Sequence, residues 1–159
     1  MSQTNRIENV RQIVDCILHR CEEEPHKRLG FVHLYGVSLL AGIIAKNRNT
    51  DPELALVAGM LHDISTFKLG VHRDHQQKSS VIAEEILRRT NEFTEDEIKC
   101  ICTAVASHGR KESTDDKLSE IIKDADVLHH FYYNPYRSPI EQENRRRSTI
   151  EKDLGLSNQ

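Results

Sequence analysis

The stretch Met60-Leu61-His62-Asp63-Ile64 closes an apolar segment with an imidazole and a carboxylate in adjacent positions. Both groups are costly to bury unless something there needs them, and a metal ion would. If the segment is a helix, neighbouring side chains point about 100° apart, so one cation near the helix end can take both. A fold that buries this pair must bring matching ligands to it, so other segments should carry imidazoles and carboxylates at inward-facing positions.

The rest of the chain reads as helices. Ile7, Val10, Val14, Ile17 and Cys21 recur at steps of three and four, one face of an amphipathic helix that Glu22-Glu23-Glu24 and Pro25 end. A second helix is expected from near Leu29 to Asn47, with His33 one turn before Val37 on the stripe that continues through Leu40 and Ile44. Asp51-Pro52-Glu53 supplies an N-cap and an N1 proline for a third helix, which carries His62 to its end. Residues 64–74 are expected to form a loop. A fourth helix should cover about 75–89, with His75 and Ser79 in line with Ile82 and Ile86. Thr94 and Glu97 make a capping box for a fifth, whose stripe Ile98, Ile101, Val105 lands next on His108, with Gly109 as the stop. Asp115 or Asp116 opens a sixth, on which Leu118, Ile122 and Asp126 share a face. The segment 131–136 breaks the pattern, and a charged helix over about 140–153 is expected to pack weakly, with Arg145-Arg146-Arg147 a solvated face. Alternating β-branched runs and hairpin turn signals are lacking, so the fold class is all-α.

At 159 residues, 37% hydrophobic and 30% charged, the chain suits one domain, 1–159, with a sizeable core. A net charge of -3 gives no basic footprint for nucleic acid. Apolar runs are read as too short to span a membrane, and Met1 to Glu8 as too polar for a secretory signal. The four cysteines lack a C-x-x-C spacing, so reduced, mostly buried thiols and a cytoplasmic location are expected.

Histidine is the unusual entry in this composition, at nine residues. His33, His62, His75, His108 and Asp126 each occupy an apolar stripe or its extension, on five different helices. One such residue is ordinarily a satisfied core group. Five together with Asp63 form a nitrogen and oxygen donor set whose desolvation a shared cation would offset.

His33, then His62-Asp63 in Gly-Met-Leu-His-Asp-Ile, then Asp126 in Lys-Asp-Ala-Asp-Val-Leu, resembles the HD superfamily of metal-dependent phosphohydrolases over about residues 29–130. The resemblance implies a bundle of about six or seven helices, with 131–159 as a C-terminal extension. It also implies hydrolysis of a phosphate ester or anhydride by attack of a metal-activated water. His75 before Ser79-Ser80, and His108 in Ser-His-Gly, are similar to a two-metal subset that includes bacterial dinucleoside tetraphosphate hydrolases. The family's common His-Asp-x-Gly-Lys form is replaced by His62-Asp63-Ile64-Ser65-Thr66-Phe67-Lys68.

One or two divalent ions of Fe, Mn, Co, Ni or Zn suit the donor set better than Ca. Asp63 is the group best placed to bridge two ions, and Asp126 would bind one. Lys68 and Arg73 rank first as catalytic, phosphate-contacting cations because their loop joins two ligand helices. Arg110 and Lys111 follow as substrate-binding candidates, and His72 as an acid for the leaving group. His19, His26, His129 and His130 receive no role, and Asp124 is read as surface or cap. The expected partner is a small phosphorylated substrate, a nucleotide foremost, with a homodimer and a lid or contact role for 131–136 left open. The alternatives are a silent nucleotide-binding sensor and a scaffold stabilised by its metal. A closed ligand shell would mark the scaffold.

Overall fold

Backbone capping decides where most of the helices begin. In the computed structural model, which describes residues 5–70, 72–136, 138 and 140–156, the Asn5 side chain accepts from Glu8 N–H and opens α1 (Arg6–His19). Asp51 accepts from the N–H groups of Glu53 and Leu54, with Pro52 behind it, and opens α3 (Pro52–Leu61). Thr94 and Glu97 close a reciprocal capping box at the head of α6 (Glu95–Ser107). Asp116, the second of the two expected caps, opens α7 (Lys117–Tyr133). The remaining helices are α2 (Glu24–Asn47), α4 (Ile64–Leu69), α5 (His75–Thr90) and α8 (Glu141–Asp153). No strand occurs among the described residues. The fold is the all-α bundle expected, with seven longer helices and the six-residue α4 among the described residues.

Helix α3 is the central post, with Ala55, Val57, Ala58, Met60 and Leu61 fully buried. It packs most extensively on α2. Gly59 permits the close crossing, since a Cβ there would lie 2.6 Å from Ser38 Cα. Ser38 Oγ donates to Leu56 O at 2.8 Å across the same contact. One continuous apolar core runs from Val10 in α1 to Ile150 in α8.

Several expectations need correction. Helix α1 ends at His19, ahead of the acidic run and Pro25, and Pro25 instead sits in the first turn of α2, which starts at Glu24 rather than near Leu29. Against the expectation of no span-length run, the 24 residues of α2 are long and apolar enough, by length and composition alone, to cross a membrane. Half of its most apolar window is buried against the other helices. The loop read over 64–74 contains α4, which buries Ile64 and Phe67 and ends on Gly70 at φ 65. Helix α7 continues through Phe131 and the two tyrosines after it, so the break falls at Asn134. Helix α8 does not pack weakly: Ile150 is fully buried. The cysteines are less buried than expected, with Cys16 exposed and the others half-buried. Residues 1–4 of the polar N-terminal stretch, residue 71 of the expected loop, and residues 137, 139 and 157–159 of the C-terminal extension lie outside the described residues.

Candidate metal centre

Helix ends deliver most of the polar residues proposed as ligands. His62 caps the C-terminus of α3 and Asp63 the N-terminus of α4, so the chain bends between them. His75 is the first residue of α5 and His108 the C-cap of α6. His33 and Asp126 come from the interiors of α2 and α7. All but Asp63 and His75 are buried.

These six side chains meet around Asp63. Its Oδ2 lies 3.4 Å from His33 Nε2 and 3.6 Å from His62 Nε2. Its Oδ1 lies 3.3 Å from His75 Nε2 and 3.2 Å from His108 Nε2. Asp126 Oδ1 lies 3.6 Å from His33 Nε2 and 3.7 Å from His62 Nε2. The His33 and His62 Nε2 atoms are 3.0 Å apart. Ligand atoms around one ion with bonds of about 2.1 Å sit about 3.0 Å apart on an octahedral edge and about 3.4 Å on a tetrahedral one. His33, His62 and Asp126 form one cluster whose ligand atoms lie within 4.8 Å of one another, and His62, Asp63 and His108 a second.

The hydrogen bonds behind the rings fix what each ring presents. His62 Nδ1 donates to Gly59 O at 2.8 Å, His108 Nδ1 to Val105 O at 2.7 Å and His75 Nδ1 to His72 O at 2.9 Å. A carbonyl can only accept, so each Nδ1 carries the proton and each neutral ring presents a bare Nε2 lone pair. His33 Nδ1 meets His129 Nδ1 at 3.1 Å, and donation from His33 leaves its Nε2 bare as well. Lone pairs are thus aimed at carboxylate oxygens, an arrangement that repels unless a cation or protons lie between. Asp63 Oδ1 and Asp126 Oδ1 are buried and have no hydrogen-bond partner among the described residues. Donor set, spacing and orphaned oxygens all fit divalent transition metals.

Electrostatics points the same way. Burial opposes ionisation of Asp63, but positive charge where His62, His108 and His33 face it outweighs burial and holds its carboxyl well below the usual range; with those rings neutral, a bound cation would supply that charge. At Asp126 burial is again opposed and outweighed, here by Lys111 and His62. Burial, reinforced by His33 and His130, pushes His129 down to about 4, so that ring is neutral at pH 7.

His75 is locked in place through its own carbonyl. Ser65 Oγ donates to His75 O at 3.0 Å, and Ser79 Oγ donates to Ser65 Oγ at 2.9 Å. The pair of serines ties α4 to α5 beside the centre.

The basic residues are placed differently from their sequence ranking. Lys68 pairs with Glu85 at 3.9 Å and, with Arg20 and His26, lines a separate cavity of about 550 Å³. Arg73 is 92% exposed and lies 3.6 Å from Asp74. Arg110 pairs with Asp115 at 2.8 Å. None of these three makes a hydrogen bond or ion pair to the centre among the described residues. The cation that does is Lys111, whose Nζ donates to Asp126 Oδ2 at 2.6 Å. His72 is exposed and contributes its carbonyl. His129 and His130, given no role from the sequence, stand against the centre: His129 backs His33, and His130 Nε2 lies 3.7 Å from Asp126 Oδ1. Their spacing of three and four residues from Asp126 was the available signal. Asp124, read as surface or cap, is buried and pairs with Arg48 at 2.8 Å and Arg146 at 3.0 Å.

The HD domain family model matches residues 30–130, and so spans all six proposed ligands. The chain is 33% identical over 96 residues to ribonuclease Y of Chlorobium luteolum, and 37% identical over 98 residues to ribonuclease Y of Thermosipho melanesiensis. Each alignment covers 60% of this chain and 17% of the relative, so the chain spans about a sixth of the length of these curated relatives. A solved structure, described as a predicted HD superfamily hydrolase from an uncultured Thermotogales bacterium, superposes with a TM-score of 0.60. At 19% identity, covering 91% of this chain and 88% of that one, it is similar in fold.

Proposed function

The chain belongs to the HD domain family, and from that footing we propose that it is a metal-dependent phosphohydrolase whose substrate is a small phosphorylated metabolite, a nucleotide foremost. The observation that carries this reading is the division of Asp63, with one oxygen facing His33 and His62 and the other facing His75 and His108. His33, His62 and Asp126 would hold one ion, His75 and His108 a second, with Asp63 shared. Divalent transition metals supply, when bound, a water of lowered pKa and Lewis-acid polarisation of a phosphoryl oxygen.

The protein's own residues do the positioning. Backbone carbonyls fix the imidazole tautomers, and Lys111 occupies one oxygen of Asp126. Asp63 and His75 retain side-chain exposures of 20% and 26%, whereas His62 has none. A phosphate therefore enters from the Asp63–His75 side. Arg73, two residues before His75 in sequence and 92% exposed beside Asp74, would have to leave that contact to meet the phosphate. All four cysteines are unpaired, which suits the cytoplasmic location proposed here.

A second reading has one observation in its favour, the identity to proteins named ribonuclease Y. On that reading the phosphate is a phosphodiester of a single-stranded RNA. The deciding experiment is a hydrolysis screen with Mn, Fe, Co, Ni and Zn supplied in turn. Its substrates are nucleoside monophosphates, dinucleoside polyphosphates, pyrophosphate and a short RNA. Turnover of one class, lost in Asp63→Ala, is expected. Metal-loaded protein that binds a nucleotide but turns over nothing would replace the enzyme with a sensor.

A further inference from the structure

Helix α8 lies outside the stretch matched by the family model, yet one of its side chains reaches the turn that flanks the metal centre. Arg146 is 13% exposed. Its Nε donates to Lys111 O at 2.6 Å and its Nη2 to Ser113 O at 2.9 Å. Its Nη1 donates to Glu120 Oε2 at 2.8 Å and Asp124 Oδ1 at 3.0 Å. A planar guanidinium can hold two carbonyls and two carboxylates at once, which an ammonium cannot do with the same fixed geometry.

The turn held in this way joins α6 to α7, with His108 before it and Lys111 within it. Lys111 and Asp126 have side-chain exposures of only 10% and 7%, and their 2.6 Å contact uses Asp126 Oδ2. With Oδ2 committed to an ammonium, the carboxylate cannot rotate freely, and it presents Oδ1 alone toward His33 and His62. Gly109 allows the turn to lie close to α5, since a Cβ there would collide with the Gln76 side chain.

We propose that Arg146 and Lys111 are positioning residues for the metal centre: Arg146 fixes the main chain of the turn, and Lys111 then holds Asp126 as a one-oxygen ligand. The proposal rests on the metal-centre reading above. It makes the C-terminal helix part of the working site.

Cobalt(II) tests this, because its visible absorption reports coordination number and its titration reports affinity. The proteins to compare, each of these 159 residues, are wild type, Lys111→Met, Arg146→Gln, their double variant and Arg88→Gln. Removing a cation beside the site should by electrostatics alone tighten Co2+ binding. Lost orientation acts the other way, and displaced outer partners of ligands typically cost about 10-fold or more in affinity. Lys111→Met and Arg146→Gln should each weaken one Co2+ equivalent by about 10-fold. Each should also lower the visible band as a second Asp126 oxygen joins the coordination. The double variant should be no weaker than the worse single. Arg88→Gln loses ion pairs with Glu84 and Glu95, at the ends of α5 and α6 away from His75 and His108, so it should leave both readouts unchanged. Arg146→Lys keeps the charge and guards against a folding failure, and should still weaken binding. Tighter or unchanged Co2+ binding in Lys111→Met, wild-type behaviour in both Arg146 variants, or losses that multiply in the double would overturn the proposal. Wild-type protein that takes up no Co2+ would overturn the underlying reading and the proposal with it.

Discussion

Gly36 lies in the interior of α2, where alanine should be the better residue by about 1 kcal/mol. The structure reverses that sign. A Cβ at Gly36 would sit 2.5 Å from His129 Nε2, and closer still to Cδ2. His129 is 7% exposed, and its ring stacks on Tyr133 at 5.5 Å between centroids, so it has little room to retreat. Reaching ordinary van der Waals separation requires a shift of roughly 1 Å, enough to break the 3.1 Å contact between His129 Nδ1 and His33 Nδ1. Overpacking costs about 1–3 kcal/mol and the lost hydrogen bond about 1 kcal/mol, against a helix gain of about 1 kcal/mol. Gly36→Ala should therefore be destabilised by about 1–3 kcal/mol in urea unfolding of the metal-free protein. In a His129→Ala background the obstacle is gone, and Gly36→Ala should instead stabilise by about 1 kcal/mol. Because His129 backs His33, metal affinity should fall about 10-fold in Gly36→Ala. A Gly36→Ala protein more stable than its parent, or the same sign in both backgrounds, would refute this account of how α2 meets α7.

Other outcomes follow from the same geometry. His75→Ala and His108→Ala should each lose one metal equivalent and keep the other, as read by elemental analysis after reconstitution. Lys123 is completely buried and donates to Asp115 at 2.6 Å, Glu120 at 2.8 Å and Ser113 O at 3.0 Å. Lys123→Met should be destabilising in denaturant unfolding, because Asp115 and Glu120 lose the buried cation they share and each keeps one other, Arg110 and Arg146. The hydrogen bond from Lys123 lowers Asp115 from 3.8; burial opposes but Arg146 and Lys123 outweigh it at Glu120, lowering that group from 4.5. Depressed carboxylates stabilise the fold above their ordinary pKa values, so stability should fall as pH drops below about 4.5. That acid slope should be shallower in Lys123→Met, as followed by unfolding midpoints against pH.

Periodicity recovered what periodicity can reach. Capping chemistry at Asp51 and Thr94 marked helix starts. The stripes through Val37, Val105 and Ile122 placed His33, His108 and Asp126 on inward faces. Stripe logic fails where a helix is buried all round. Helix α7 buries residues on every side, including Lys123 and Asp124, so lying off the Leu118–Ile122 line did not put Asp124 at the surface. It also fails in turns: Lys111 belongs to no repeat, and only the fold brings it to Asp126. Sequence adjacency alone does not put Lys68 and Arg73 against the ligands: α4 adds a helical turn that carries Lys68 toward Glu85, and Arg73 stands exposed beside Asp74. Arg146 was legible in principle. It stands four residues before buried Ile150, on the inner face of a helix whose neighbours on either side, Arg145 and Arg147, are more exposed.

Metal stoichiometry of the purified protein, set beside that of Asp63→Ala, bears most directly on the proposed centre. Reconstitution with Mn2+ or Co2+ should give two ions per chain in the parent and none in the variant, because both ligand sets draw on that single carboxylate. A parent that holds no ion after reconstitution, or an Asp63→Ala protein that still holds two, would contradict it.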